Sequence, residues 1–399
     1  MSAEAATLKT GVASGPGERV VRHKEKPRML ALDGVRGLAI IGVLLTHASY
    51  IFTTGSHVLA MGWTGVDLFF VLSGFLITGI LIDTKRAQNR AKSFYARRIL
   101  RIFPIYYLTI VVVLIAQQHL AWLRTVAEMQ TWADRLPYLF YYKNLAPLWQ
   151  HGQAHQTLLS HFWSLAGEEQ FYFLWPMLVW HFSTKTVYKV CAGALCFTLL
   201  LRIALGAHFG FGAWMQFFPL TRSDGLFVGS GLAALLATGH RPSYKQLLTW
   251  GLAGLSTLVL VVIFRGREEL LYGGPVMCTI GYSGLAIFFG VLIAYCVQSE
   301  GPLVRFFEAP WIRAFGRYSY GMYVYHLPLY YVIEHFAKQW FSLAFPLPNK
   351  YAILYLAVLV SITYAIAWLS FRFFEQKFLR LKRRFEPVFE NPAVDATTA

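Results

Sequence analysis

Three ionisable residues stand in the first apolar stretch of the chain, RMLALDGVRGLAIIGVLLTHASYIF: Asp33, Arg36 and His47. A helix turns by about 100° per residue, so the eleven residues from Arg36 to His47 make about three turns, and all three side chains fall on one stripe. Charge inside a membrane span costs several kcal/mol and marks a site facing the protein interior. An imidazole that titrates near neutrality supplies a general base, and a guanidinium supplies a bidentate phosphate donor.

Further ionisable and hydroxyl groups recur in later apolar stretches. Arg97, Arg98 and Arg101 lie in FYARRILRIFPIYY, and Asp67 and Ser73 in GWTGVDLFFVLSGFLITG. Glu168 and Glu169 follow in HFWSLAGEEQFYFLWP, Arg222 and Asp224 in TRSDGLFVGSGLAAL, and His326 in GRYSYGMYVYHLPLYY. Each has a plainer role open to it. Asp67 suits a helix N-terminus, Arg222 and Asp224 suit a structural pair, and Ser73–Gly74 suits close helix packing. A lone buried histidine is more often held in a helix interface than used in catalysis. His151 and His155 are four residues apart with His161 nearby, but they lack the zincin glutamate, and no metal is expected. Walker, Rossmann and Gly-x-Ser-x-Gly patterns are absent from the sequence.

The elements that carry these residues follow from composition. The 399 residues are 56% hydrophobic and only 14% charged, where soluble domains are about a quarter charged. Apolar runs of about 20 residues recur, each long enough to cross a bilayer. The expected fold is all-α: a polytopic membrane bundle of about ten transmembrane helices with both termini cytoplasmic. The spans are read near 30–51, 62–82, 100–118, 163–182, 187–206, 222–238, 247–264, 274–297, 316–336 and 351–371. With the N-terminus inside, about 26 of the 36 lysines and arginines fall in inner segments and about 8 in outer ones, the positive-inside bias. The net charge of +16 is thus topological, and no nucleic-acid partner is expected.

Residues 1–28 read as a disordered cytoplasmic tail without a cleavable signal, 29–375 as the membrane domain, and 376–399 as a basic and then disordered tail. The outer connection 119–162, with Trp122, Trp132 and Trp149, is the loop large enough for an interfacial helix. The four cysteines read as small buried hydrophobes. In this topology Asp33, Arg36 and the Arg97–Arg101 cluster form an inner layer. His47, Asp67, Ser73, Glu168, Glu169, Arg222 and Asp224 form an outer one.

These motifs, in this order from Leu32 to about Glu375, resemble the acyltransferase-3 family of integral membrane O-acyltransferases, which includes O-antigen acetylases. ALDGVRGLAIIGVLLTH resembles the family's Leu-Asp-x-x-Arg-Gly opening and its Arg-x10-His element, with Arg36 and His47 on those positions. The glycine of SLAGEEQ is a minor departure. The resemblance implies transfer of an acyl group, usually acetyl, from cytoplasmic acyl-coenzyme A to a sugar hydroxyl of a cell-surface polysaccharide, lipopolysaccharide or lipid-linked precursor, in the bacterial inner membrane. No tightly bound cofactor is implied, and membrane lipids surround the protein. Some relatives carry an appended extracytoplasmic esterase-like domain; none is read here, which leaves direct transfer or a separate extracytoplasmic partner.

On this reading Arg36, Asp33, Arg97, Arg98 and Arg101 hold the donor, and His47 is the catalytic base or a transient acyl carrier. Glu168 or Asp67 orients His47. Ser73, Trp163, Glu169, Arg222, Asp224, Tyr320 and His326 face the acceptor, with Arg222 or a tyrosine as oxyanion donor. Two alternatives remain open: tailoring of a small secreted metabolite, and a transporter or flippase of lipid-linked sugars. The lack of an internal repeat weighs against the transporter.

Overall fold

The computed structural model describes residues 29–53, 56–127, 129–148, 157–212, 214–266 and 274–389. Among the described residues there are ten principal helices: α1 (Leu30–His47), α2 (Thr64–Asp83), α3 (Arg90–His119), α4 (Phe162–His181), α5 (Thr184–Phe209), α6 (Asp224–Ala237), α7 (Tyr244–Arg265), α8 (Tyr282–Gln298), α9 (Pro310–Phe341) and α10 (Asn349–Ser370). Each coincides with one predicted span. Among the described residues the only strand-like pairing is the single bridge Phe52–Leu347. The protein is a polytopic membrane helical bundle.

Among the described residues seven helical segments are long and apolar enough to cross a bilayer; α4, α6 and α9 are the predicted spans outside that set. The physical reason differs between them. At 1.5 Å per residue the 14-residue α6 rises only about 21 Å, short of a hydrocarbon core. Helices α4 and α9 carry the polar residues that point into the bundle, such as Glu168, Glu169 and Gln170 on α4 and Ser319 and His326 on α9. Their composition therefore reads as less apolar than their location.

The centre of the bundle is built on glycine. A Cβ on Gly34 or Gly37 of α1 would fall on the backbone carbonyl of Phe307 or Ile312, and one on Gly316 of α9 would collide with the Asp33 carbonyl. The same holds between α2 and α6, where Gly74 and Gly229 meet the carbonyls of Leu226 and Val71. Without a hydrophobic drive between helices in lipid, such close backbone approach is what holds them together. Helices α1, α2 and α8 are accordingly the most buried spans, whereas α5, α7 and α10 are the least. Those peripheral helices show Leu200, Ile263, Ile353 and Leu354 on the outside, each more than 60% exposed. That is the expected face toward acyl chains.

Helix ends follow local chemistry. Ser243 and Gln246 close a capping box at the start of α7, and Ser183 accepts from the Thr186 amide at the start of α5. Helices α5 and α7 stop at Gly210 and Gly266, both at positive φ, the conformation that glycine adopts without penalty.

Other expectations are refined. Helix α3 begins at Arg90, ten residues before the predicted span, so Arg97, Arg98 and Arg101 all lie within one helix. The 119–162 connection holds short helices, Ala121–Ala127 and Trp132–Leu139, of which the latter opens on a Thr131–Asp134 capping box. The tail after 375 is not free through its first part: Gln376–Leu381 is helical and residues up to Val388 bond back to α3. Residues 1–28 and 390–399, and with them the rest of the two predicted tails, lie outside the described residues. Three of the four cysteines are buried, but Cys196 is exposed on α5.

Candidate functional site

A cavity of about 300 Å³ opens between α1, α2, α3, α4 and α9. Its charged lining is Arg36 from α1, Arg98 and Arg101 from α3, and Glu168 and Glu169 from α4. Three guanidiniums face two carboxylates, and among the described residues none of the three forms an ion pair within 4 Å. Arg98 lies over the Tyr172 ring at 5.3 Å from its centroid, a cation–π contact that orients the side chain and leaves its N–H groups for other acceptors. Three half-buried arginines gathered around one cavity repel one another, and Glu168 and Glu169 on the same lining offset part of that charge.

The carboxylate end is fixed by hydroxyls. Ser73 donates to Glu168 Oε1 at 2.7 Å, while Tyr172 donates to Glu168 Oε2 at 3.1 Å and to Ser73 Oγ at 3.0 Å. Ser164, Glu168 and Tyr172 recur every four residues on α4 and all line the cavity, as one helical face must. Tyr320 also lines it, and its hydroxyl is tied to the Ile102 carbonyl at 2.7 Å.

Behind another part of the cavity wall stand three histidines. Ser164 and Tyr323 both line the cavity and are hydrogen-bonded to each other at 2.5 Å, and Tyr323 donates to the His161 carbonyl at 3.0 Å. The rings of His161 and His326 have centroids 4.8 Å apart, as do those of His326 and His47. His326 is completely buried. Neither His326 nor His47 is itself part of the cavity lining.

Backbone carbonyls assign the protons of this cluster, because a carbonyl only accepts. His326 Nδ1 lies 2.6 Å from the Tyr323 carbonyl and so carries a proton, which makes its Nε2 the lone-pair nitrogen. His47 Nδ1 lies 2.9 Å from the Val43 carbonyl and 3.3 Å from His326 Nε2. It donates to both, and His47 Nε2 is left as the lone pair. His161 Nε2 bonds the Val324 carbonyl at 3.2 Å, and its buried Nδ1 has no partner among the described residues. A histidine held at Nδ1–H with Nε2 free is the arrangement of a general base.

The structure thus redistributes several predicted site residues. Ser73, Glu168 and Glu169, assigned from sequence to an outer layer, share one cavity with Arg36, Arg98 and Arg101. Glu168 bonds Ser73 and Tyr172 and not His47; the partners that orient His47 are the Val43 carbonyl and His326. Asp67 does not orient it either. Asp67 is locked to Arg222 by two contacts, Oδ1 at 2.7 Å and Oδ2 at 3.0 Å, with the guanidinium stacked 3.9 Å from the centre of the Tyr282 ring.

Asp224 does not pair with Arg222. It takes Arg202, a residue with no exposed surface, together with a 2.7 Å bond from Ser283. Arg222 and Asp224 are consumed by these pairs and do not line the cavity. Trp163 packs edge-on to Phe70 and Phe217, also outside the lining. Arg97 sits beside the lining arginines on α3, and Asp33 one turn before Arg36 on α1. His151 and His155 lie outside the described residues.

Four residues were missed in the sequence reading: His161, Ser164, Tyr172 and Tyr323. The four-residue spacing around Glu168 was the signal for Ser164 and Tyr172. Tyr323 stands three residues before His326, one helical turn away. His161 was grouped with His151 and His155 as a ligand pattern, which hid its place at the start of α4.

The fold and the site together define an integral membrane protein with an arginine-lined cavity abutting a buried histidine cluster. The acyltransferase-3 family model, described as an acyltransferase domain, matches residues 29–372, and the chain belongs to that family. It is similar to the peptidoglycan O-acetyltransferase OatA of Listeria monocytogenes, with 28% identity over 391 residues covering 90% of this chain and 57% of that protein. It is also similar to the O-acetyltransferase OatA of Staphylococcus aureus strain NCTC 8325, with 26% identity over 367 residues covering 88% and 57%. The chain therefore spans less than two thirds of the length of these curated relatives. No solved structure gives a significant match.

Proposed function

We propose that this chain is a membrane O-acyltransferase of the bacterial cytoplasmic membrane. It moves an acetyl group from cytoplasmic acyl-coenzyme A to a hydroxyl of a cell-envelope glycan. The observation that carries the reading is the pairing of a three-arginine cavity with a histidine whose Nδ1 is held by a carbonyl and whose Nε2 is free. Relatives whose names specify O-acetylation, one of them of peptidoglycan, support the class of acceptor.

The donor's phosphates sit at the Arg36–Arg98–Arg101 end. At about 300 Å³ the cavity is at the low end of ligand sites and suits a slender pantetheine arm rather than a whole nucleotide. Arg36 and His47 are eleven residues apart on one helix, about 16 Å along its axis, which sets the span the arm must cross. His47 Nε2 removes the proton from the acceptor hydroxyl as its oxygen bonds the thioester carbonyl carbon. The tetrahedral intermediate then expels coenzyme A, whose sulfur takes the proton back from His47. During the step His47 is cationic, and its Nδ1–H bonds to Val43 and His326 strengthen as charge-assisted bonds. The Ser164–Tyr323 hydroxyl pair stands on the cavity wall beside His161; its two protons are engaged within the pair and at the His161 carbonyl, so it holds that wall in place.

The test is to supply membranes with labelled acetyl-coenzyme A and follow label into envelope glycan. His47→Ala and His47→Gln are expected to abolish transfer, a loss of at least about a hundredfold, with unchanged membrane insertion. Normal glycan labelling by His47→Ala in cells without the native copy would overturn the proposal. Label recovered in a secreted small molecule would redirect the acceptor and leave the chemistry intact.

A further inference from the structure

The chain beyond α10 folds back under the arginine helix. One wide π turn, Phe371–Glu375, leads into the helix Gln376–Leu381 and the tight turn Lys382–Phe385. Residues 385–388 then run along the start of α3, held by four hydrogen bonds. Ser93 Oγ donates to the Phe385 carbonyl at 2.8 Å, and the Gln88 amide to the Val388 carbonyl at 2.9 Å. Asn89 makes the other two: its Nδ2 donates to the Glu386 carbonyl and its Oδ1 accepts from the Val388 amide, each at 2.9 Å.

Asn89 directly precedes α3, where asparagine ordinarily caps its own helix. It makes no such cap; both ends of its amide are given to the returning strap. Lys382 is carried on the strap, half-buried, while Arg383 and Arg384 beside it are exposed. It lies within electrostatic reach of Arg101, Arg98, Arg97 and Arg36. The π turn that leads into the strap also brings Glu375 against Gly321, beside the cavity-lining Tyr320, and within reach of Arg101. A lysine on a terminal turn has water available to it, yet the strap's bonds to Gln88, Asn89 and Ser93 hold this one beside the start of the arginine helix, among like charges. Such an arrangement is costly unless an anion completes it.

We propose that the strap 376–388 forms part of the phosphate site of the acyl donor, with Lys382 as a direct phosphate ligand and Asn89 and Ser93 as positioning residues. The inference rests on the donor reading given above. Lys382 supplies a mobile point charge beside the fixed forks of the arginines, the division of labour expected for a multiply phosphorylated nucleotide. A lipid headgroup offers the same phosphate chemistry, and the test separates the two sources.

The full-length protein is placed in nanodiscs of zwitterionic lipid, and acetyl-coenzyme A binding is measured beside that of S-acetyl-pantetheine, which lacks the nucleotide phosphates. Lys382→Gln is expected to weaken acetyl-coenzyme A about tenfold, the scale of one charge-assisted hydrogen bond, and to leave S-acetyl-pantetheine unchanged. Lys382→Arg is expected to restore most of the loss. Asn89→Ala is expected to raise the donor KM several-fold at unchanged kcat, with Lys382 still present.

If Arg98→Gln and Arg101→Gln weaken acetyl-coenzyme A but Lys382→Gln does not, the strap assignment is overturned and the donor site stands. If none of the three alters donor affinity, the donor reading itself fails. A Lys382→Gln effect that appears only when anionic lipid is included, and is equal for both thioesters, assigns Lys382 to the membrane surface and also overturns the proposal.

Discussion

Among the described residues two sets of arginines within the bundle, one buried and one half-buried around a cavity, are handled in opposite ways. Arg202 and Arg222 are each matched to a carboxylate. Arg202 also donates to the carbonyls of Thr221 and Thr279, at 2.9 and 2.8 Å, and to Ser283 at 2.6 Å. Arg36, Arg98 and Arg101 have no ion-pair partner among the described residues and share an open cavity. Removing one half of a matched buried pair leaves an uncompensated charge, whereas removing one of several like charges relieves repulsion. The comparison teaches that intramembrane charge alone does not mark the site: what marks it is charge the fold leaves unanswered beside a cavity.

The sharpest way to break this contrast is to truncate both sets. Arg202→Met alone is expected to destabilise by about 3–5 kcal/mol, seen as a large loss of melting temperature or yield in detergent. Pairing it with Asp224→Leu is expected to recover much of that loss, since no lone charge remains. A single variant as stable as the native protein would remove the structural role assigned to this pair. On the other side, Arg98→Gln with Arg101→Gln is expected to keep the native melting temperature while acetyl-coenzyme A affinity falls by well over tenfold. A thermal collapse of that variant would instead place these arginines with the structural set.

Smaller changes sharpen the boundary between the two regions. Gly316→Ala puts a Cβ on the Asp33 carbonyl. It is expected to cost about 1–3 kcal/mol and to lower activity only through the fraction folded, as read by specific activity after removal of aggregate. Ser73→Ala removes one of the two hydroxyls on Glu168 and is expected to cost about 1 kcal/mol or less, with a few-fold effect on turnover. A complete loss of activity in Ser73→Ala would move Glu168 from lining to chemistry.

The ten apolar segments were legible because a bilayer imposes a length and a composition on whatever crosses it. Arg36 and His47 were legible because three charges on one helical stripe have few inexpensive explanations. Depth was harder to read. The sequence puts Ser73 in the outer half of its helix and Glu168 at the outer start of its own, yet they share a cavity with the inner arginines, since two adjoining helices need not start at the same height. The partner of each charge was less legible still: Arg222 and Asp224 are two residues apart, and each pairs with a residue on another helix. Nothing local selects Asp67 or Arg202 over a neighbour.

By itself the sequence determined that this protein is a helical membrane bundle with an arginine and a histidine on one stripe of its first span and a cluster of arginines on its third. Periodicity, hydropathy and motif order are local properties, and these features depend on nothing else. Only the tertiary structure decided which charges cancel and which stay available, that His326 rather than a carboxylate supports His47, and that the C-terminal strap returns to the arginine helix. Those outcomes are set by contacts between segments tens to hundreds of residues apart. They depend on how closely glycine faces let the helices approach, and no local pattern encodes that distance.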